Sequence, residues 1–169
     1  MTDATAFALS AGAIGIGATA FMDLWTAAQK HLLGIPALDY RLVGRWLGHM
    51  THGQWHHQTI AAAPPISGER ALGWLVHYAI GIAFAAVLLA VWGLGWARTP
   101  SLAPALVVGL VTVLVPFLVV QPAFGAGLAA SRTPRPGAAR LKSVVTHLSF
   151  GIGLFVAAKG WAWAWLAGG

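Results

Sequence analysis

Cysteine is absent from this 169-residue chain, and charged side chains are scarce. Without cysteine there is no disulfide framework and no thiolate ligand for a metal. Charged residues make up 8% of the chain and only four of them are acidic, whereas about a quarter of an ordinary soluble domain is charged. Hydrophobic residues make up 58% of the sequence, so the composition excludes the soluble globular class.

Long apolar runs take the place of the missing charge. Four stretches, residues 6–28, 72–96, 102–125 and 143–166, reach the roughly 20 apolar residues that a helix needs to cross a bilayer. The chain is therefore predicted to be an all-α membrane protein with four transmembrane helices. We expect a single domain over residues 1–169, with the lipid bilayer as its main partner.

Basic residues cluster on two of the three predicted connections. The first connection, residues 29–71, and the third each carry four of the ten lysines and arginines. Basic residues near helix ends are held on the cytoplasmic side, so both termini are predicted to be periplasmic. This topology, together with anionic lipid headgroups, accounts for the net charge of +6. No recognition motif accompanies the charge, and nucleic acid is not an expected partner.

The first connection contains a segment with a helical pattern at residues 39–50. Its apolar residues fall on one helical face, while Arg41, Arg45 and His49 fall on another at a spacing of four. Asp39 is the expected N-cap. The pattern predicts an amphipathic helix on the cytoplasmic membrane surface, where Arg41, Arg45 and Trp46 contact lipid.

Four of the seven histidines lie within "HMTHGQWHH", residues 49–57. The inner part has the form of one histidine box of membrane-bound diiron enzymes, which hold two metals with imidazole nitrogens from several boxes. The other histidines, His31, His77 and His147, stand alone. We therefore interpret the cluster as a polar interfacial segment with solvated imidazoles, and a metal site is the alternative.

Polar residues inside the predicted spans are the main candidates for function. Asp23, His77 and His147 each lie a few residues in from a cytoplasmic helix end, at one depth. An ionisable group within a span costs about 2.5 to 3.5 kcal/mol, so each should face the bundle interior and a partner. Small residues beside them permit close helix packing. We predict that they converge in one pocket, and interhelical hydrogen bonding alone is the structural alternative.

The second and fourth spans resemble each other. "RALGWLVHYAIGI" and "RLKSVVTHLSFGI" share Arg, His, Gly and Ile at the same spacing. This match predicts a parallel repeat of two hairpins, in which Gln121 of the third span corresponds to Asp23 of the first. The repeat also makes a haem hypothesis concrete. His77 and His147 would be axial or metal ligands, and Arg70 and Arg140 would contact the propionates or another anion.

Several stretches resemble a family of bacterial integral-membrane proteins, the domain of unknown function 2938. The resemblance is carried by "GATAFMDLW", "RLVGRWLGHM", "IAAAPPISGERALGWLVHYAIGIAFA" and "QPAFGAGLAASRTP" and runs over nearly the whole chain. It implies a bacterial inner-membrane protein. It supplies no activity, substrate or site residue.

Three functions follow from these patterns. The first is a non-enzymatic membrane protein that handles a small solute, ion or proton, with a homodimer as the working unit because four helices are few for a transport path. The second is a b-type haem or divalent-metal protein. The third is a ligand-free scaffold or accessory protein. No motif for nucleophilic catalysis, phosphate binding or zinc hydrolysis is present, so no catalytic residue is assigned and an enzyme is disfavoured.

The charge distribution generates a test of topology. Reporter fusions after Arg98 and at the C-terminus should behave as periplasmic, and fusions after His57 and Arg135 should behave as cytoplasmic. The reason is that eight of the ten basic residues lie on the first and third connections, which contain His57 and Arg135. Paired alkaline phosphatase and green fluorescent protein fusions measure both sides. A cytoplasmic C-terminus would contradict the prediction.

Overall fold

The computed structural model describes residues 2–167, with side chains through residue 164. Residues 1, 168 and 169, which the predicted domain and termini include, lie outside this part. The described chain forms helices and turns and contains no β-strand. The α-helices are α1 (Asp3–Leu33), α2 (Tyr40–Met50), α3 (Glu69–Trp92), α4 (Leu94–Arg98), α5 (Leu102–Thr112), α6 (Gln121–Ala123) and α7 (Pro136–Ala167), and 3-10 turns cover Ile60–Ala62 and Leu128–Ala130.

Within the described residues, four helical segments are long and apolar enough to cross a membrane, which confirms the predicted number. They are Asp3–Leu33, Glu69–Trp92, Leu102–Ala123 and Pro136–Ala164. The first and last extend beyond the apolar runs, because flanking polar residues continue the same helix. The second ends at Trp92 rather than at residue 96, because Gly93 has a φ of 78° and separates α3 from α4. Only glycine takes such a φ without strain.

The third segment is not a uniform α-helix, which the sequence analysis did not anticipate. Regular α-helix ends at Thr112, and Pro116–Val120 forms a π-helical turn before α6 begins at Gln121. Proline has no backbone N–H and its ring clashes with the preceding turn, so Pro116 accounts for the break. π-helical turns inside α-helices occur frequently at functional sites.

The chain divides into two compact units. The first comprises the described parts of Met1–Pro36, Tyr78–Val111 and Thr146–Gly169, and the second comprises Ala37–His77 and Thr112–Val145. Apolar residues of α1, α3, α4, α5 and α7 form the core of the first unit, and its largest fully buried aliphatic side chains are Ile14, Leu88, Leu89 and Leu154.

Helices of the first unit approach each other closely at glycine. A Cβ on Gly15 of α1 would lie 2.5 Å from the Ile82 Cα atom of α3. A Cβ on Gly109 of α5 would lie 2.7 Å from the Gly151 Cα atom of α7. These contacts are to backbone atoms, which cannot move aside as a flexible side chain can. Helix packing in this unit therefore requires glycine at both crossings.

The second unit contains the same kind of crossing between α2 and the first turns of α3. A Cβ on Gly44 would overlap the backbone of Glu69, and a Cβ on Gly73 would overlap the Tyr40 carbonyl. Asp39 caps α2, since its carboxylate accepts the Arg41 N–H at 3.1 Å. The helix predicted at residues 39–50 is thus present over Tyr40–Met50, packed on α3. Its position relative to a membrane stays a prediction.

Gly15 and Gly12 provide a matched test of close packing on α1. Gly15→Ala should destabilise the protein by about 1 to 3 kcal/mol, because the added methyl overlaps the α3 backbone. Gly12 has nothing within 4 Å of a built Cβ, so Gly12→Ala should be neutral or stabilising by up to about 1 kcal/mol through helix propensity. Thermal unfolding of the purified variants in detergent measures both. Equal effects would refute the proposed crossing.

Candidate functional site

Asp23 of α1 is hydrogen-bonded to Tyr78 of α3 in the first unit. The Tyr78 hydroxyl donates to Asp23 Oδ2 at 3.1 Å, and both residues are partly buried. Thr26 Oγ1 donates to the Asp23 backbone carbonyl at 3.0 Å, one turn further along α1. The predicted intramembrane carboxylate therefore has a phenol partner on the neighbouring helix.

The Gly15–Ile82 crossing sets the distance between these two helices. On the same face of α1, Thr19 is buried and its hydroxyl donates to the Gly15 carbonyl at 2.8 Å. Gly81 packs directly against the Thr19 side chain. Asp23 lies one turn beyond Thr19, at a spacing that keeps it on this face. Close packing at small residues thus brings the carboxylate within reach of Tyr78.

His147 also belongs to the first unit and is half-buried on α7. Its backbone carbonyl forms part of the α5–α7 crossing, 2.7 Å from the position of a Cβ on Gly109. Gly151, one turn along α7, lies at the same crossing. His147 therefore lies where these two helices are closest, as the neighbouring small residues predict.

His77 belongs to the second unit and lies in an aromatic cluster. Its ring stacks on Tyr40, with ring centroids 3.9 Å apart and planes inclined by 23°. It also makes a T-shaped contact with Trp74, with ring centroids 5.7 Å apart. Tyr40 and Trp74 also contact each other, with centroids 4.9 Å apart. The N-terminus of α2 thus covers one face of the His77 imidazole.

Gln121 lies in the second unit, directly after the π-helical turn. Its Nε2 donates to Ser143 Oγ of α7 at 3.1 Å, and the Ser143 hydroxyl donates in turn to the Ala139 carbonyl at 3.1 Å. Because the serine hydrogen is used in this second bond, the serine must accept from Gln121. The Gln121 Oε1 atom is buried without a hydrogen-bond partner among the described residues.

The four candidate residues are divided between the two units. Asp23 and His147 belong to the first, and His77 and Gln121 belong to the second. Each has a defined local environment. Their convergence in a single pocket stays a prediction, as does the pairing of His77 with His147 around haem or metal.

Arg45 of α2 is held by groups that follow it in the sequence. Its guanidinium forms a two-point ion pair with Glu69, with Nε and Nη2 at 2.8 and 2.9 Å from the carboxylate oxygens. Nη1 donates to the Ala63 and Ala61 carbonyls at 2.9 and 3.2 Å. The side chain is only 11% exposed, and its predicted contact with lipid stays a prediction. Glu69, 24 residues further along the chain, turns it inward.

The other predicted lipid and anion contacts have mixed environments. Arg41 is exposed and pairs with Asp39. The side-chain hydrogen bond from Arg41 holds the pKa of the Asp39 carboxyl below its usual range. Trp46 is partly buried, and its Nε1 donates to the Trp55 carbonyl at 2.9 Å. Arg70 is exposed in the first turn of α3. Arg140 is exposed, and its Nε donates to the Ala129 carbonyl at 2.7 Å.

The histidine cluster is partly solvated, and its interpretation as a polar interfacial segment stays a prediction. His52 and His56 are exposed, whereas His57 is 8% exposed. His57 Nε2 lies 3.0 Å from His49 Nδ1, and His49 Nε2 lies 3.0 Å from the Pro64 carbonyl. A carbonyl requires a donor, so His49 carries a hydrogen on Nε2, and its Nδ1 also lies 3.2 Å from Gln54 Oε1. The His57 backbone N–H donates to the Ala123 carbonyl at 2.9 Å.

These contacts join imidazoles to each other and to backbone. Within the part of the chain that the structure describes, no three residues of the types His, Cys, Asp and Glu are arranged so that they could hold a metal ion. The His49–His57 pair joins the loop that follows α2 to the last turns of that helix. The segment after this loop carries the Ala61 and Ala63 carbonyls, which accept hydrogen bonds from Arg45.

Three residues of these environments were missed by sequence reasoning. Tyr78, Tyr40 and Glu69 each partner a predicted residue across a distance in sequence that no local pattern covers. Tyr78 directly follows His77 in "LVHYAIGI", and a hydroxyl near the end of an apolar span was an available signal. Nothing in the sequence paired Glu69 with Arg45.

The helices and their polar environments are compatible with a multi-pass membrane protein. The chain belongs to the family described as "Protein of unknown function (DUF2938)", whose family model matches residues 13–160. This match confirms the resemblance found in the loops. Neither the curated proteins nor the solved structures contain a match to the chain.

The buried His57 predicts a loss of stability in acid. Burial lowers the pKa of His57 below 6.5, and the nearby His49 lowers it further. The unfolded state then binds a proton more readily than the folded state, so this contribution to stability is present above about pH 6.5 and is lost as pH falls through the folded pKa. The unfolding temperature should therefore decrease as the pH is lowered from about 7.5 to about 5.5.

His57→Gln should remove part of this pH dependence, because glutamine does not titrate. His52→Gln, at an exposed histidine of the same loop, is the matched control and should leave the dependence unchanged. Thermal unfolding at both pH values measures the difference. If both variants show the wild-type dependence, His57 does not contribute.

Proposed function

We propose that this chain is a bacterial inner-membrane protein that handles a small solute, ion or proton at an intramembrane polar site. The site comprises Asp23 with Tyr78, together with His77, His147 and Gln121. The observation that carries the proposal is the Tyr78–Asp23 hydrogen bond, which holds an acid between two helices long and apolar enough to cross a membrane. Ionisable residues within spans mark ion, proton or substrate pathways by default.

The chemistry of the Asp23–Tyr78 pair suits reversible binding of a proton or cation. A carboxylate can accept a proton, and a neighbouring phenol can donate to it in the charged state. Because the phenol is neutral in the ordinary pH range, it orients the carboxylate without supplying a full charge. Imidazole groups at His77 and His147 would extend such a relay, since imidazole has one nitrogen that can donate a proton and one that can accept it.

Gln121 supports the involvement of a polar solute. Its buried Oε1 atom has no hydrogen-bond partner among the described residues, and such an acceptor is costly unless something satisfies it. It follows a π-helical turn, where the regular backbone pattern is interrupted. A donor on a small solute, or water accompanying an ion, would complete this acceptor.

The repeat remains part of the proposal, and glycine packing supports it. Gly81 and Gly151 occupy corresponding positions in the aligned segments. Gly81 packs on α1 next to Gly15, and Gly151 packs on α5 next to Gly109. Corresponding glycines would thus close corresponding hairpins. Four spans are few for a complete transport path, so a homodimer is the proposed working unit.

The proposed topology has periplasmic termini and α2 on the cytoplasmic leaflet. The basic connections support this orientation. Arg41 remains available for anionic headgroups at the membrane surface, whereas the ion pair of Arg45 with Glu69 removes it from that role. Trp46 adds an aromatic side chain at the same level of α2.

Proton flux into liposomes tests the proposal at Asp23. The protein is reconstituted with a pH-sensitive dye inside, and a potassium gradient with valinomycin drives proton entry. Asp23→Asn should reduce flux to the level of protein-free liposomes, because asparagine can still accept the Tyr78 hydrogen bond but cannot titrate. Tyr78→Phe should reduce it partially, since the acid remains without its orienting partner.

Asp3→Asn is the matched control, because Asp3 is an exposed acid in the first turn of the same helix. It should leave flux at the wild-type level. Wild-type flux equal to that of empty liposomes for protons, sodium and potassium would favour the scaffold alternative. A Soret band in the visible spectrum of the purified protein, abolished by His77→Gln, would favour the haem alternative.

A further inference from the structure

A cationic cleft lies within the second unit, where α2 and α3 begin. It has a volume of about 310 Å³ and is lined by Leu38, Asp39, Tyr40, Arg41, Arg70 and Trp74. All six residues belong to one unit. The Gly44–Gly73 crossing brings the two helices together here, so residues 29 positions apart in sequence, Arg41 and Arg70, line one cleft.

The chemistry of this cleft matches a phosphate group. Arg41 and Arg70 supply two guanidinium groups, whose planar donor geometry suits phosphate oxygens. Arg41 uses Nε and Nη2 for Asp39, which leaves the Nη1 amino group outside the ion pair. The cleft also adjoins the N-terminal turns of α2 and α3, where helix dipoles favour an anion. The two arginines and the two helix N-termini thus all favour a negatively charged group in this cleft.

The apolar surroundings favour a lipid as the source of the phosphate. Trp74 and Leu38 line the cleft and are 39% and 49% exposed. Trp74 lies near the start of α3, a helix long and apolar enough to cross a membrane, and Leu75, the next residue of that helix, is 69% exposed. A headgroup in the cleft would therefore have apolar surface beside it for its glycerol and acyl chains.

We propose that this cleft binds the phosphate of an anionic phospholipid between Arg41 and Arg70. Tyr40 and Trp74 form its aromatic wall and also contact His77, so an occupied cleft adjoins a residue of the proposed polar site. The binding itself does not depend on any transport activity. Asp39 opposes it, because its carboxylate faces the same cleft and neutralises Arg41.

The test measures retention of phosphatidylglycerol by the full-length protein. Native mass spectrometry of protein released from detergent micelles gives the affinity for phosphatidylglycerol relative to zwitterionic phosphatidylcholine. Arg70→Gln should weaken phosphatidylglycerol binding about fivefold, the worth of one arginine near anionic headgroups. Arg41→Gln with Arg70→Gln should weaken it about 25-fold if the two contributions are additive.

A double variant with the same charge change is the control. Arg132→Gln with Arg135→Gln removes two exposed arginines from the other basic connection and should change affinity less than about twofold, because it leaves the cleft intact. Equal loss in the control and the Arg41/Arg70 variant would overturn the site, since net charge alone would then explain binding.

Asp39→Asn separates binding from folding. Asparagine caps a helix as well as aspartate does, so α2 should persist, while removal of the opposing carboxylate should strengthen phosphatidylglycerol binding. A gain in affinity cannot arise from misfolding. Unchanged or weaker binding would overturn the arrangement of Arg41 and Asp39 described here. Displacement of phosphatidylglycerol by an equal concentration of inorganic phosphate would overturn the assignment to lipid.

Discussion

Close approach of helix backbones at glycine is the constraint on which the rest of this structure depends. Within a bilayer, lipid tails are as apolar as leucine, so helices associate through close packing and polar contacts. In the first unit this packing occurs at Gly15 with Ile82 and at Gly109 with Gly151. The hydrogen bond between Asp23 and Tyr78 follows from the first of these crossings.

Polar groups of the second unit are satisfied largely by backbone that is distant in sequence. Arg45 joins α2 to Glu69 and to carbonyls of the loop, while His57 joins the loop to Ala123. Gly125, with a φ of 92°, packs against the Gln58 carbonyl. A connection that could have been a solvated linker thus becomes an ordered layer. The Gly44–Gly73 crossing of α2 and α3 accompanies this order and brings Arg41 and Arg70 to one cleft.

Polar residues inside the spans could be selected from the sequence as individuals, but their partners could not. Asp23, His77, His147 and Gln121 could be selected because polar groups are rare and costly in apolar runs. Their partners could not, since Tyr78 lies 55 residues from Asp23. The basic face of α2 was predicted from periodicity alone. Periodicity gives the direction of Arg45 on its own helix and contains no information about the helix packed against it.

The sequence by itself determined the number of long apolar helical segments and the family to which the chain belongs. Length and hydropathy are enough for this, because each helix satisfies its own backbone hydrogen bonds independently of its neighbours. Only the tertiary structure decided which polar groups meet. Those meetings depend on helix crossings, on the break at Pro116 and on a loop held by Arg45. Each of these is a relation between segments distant in sequence, which residue spacing does not encode.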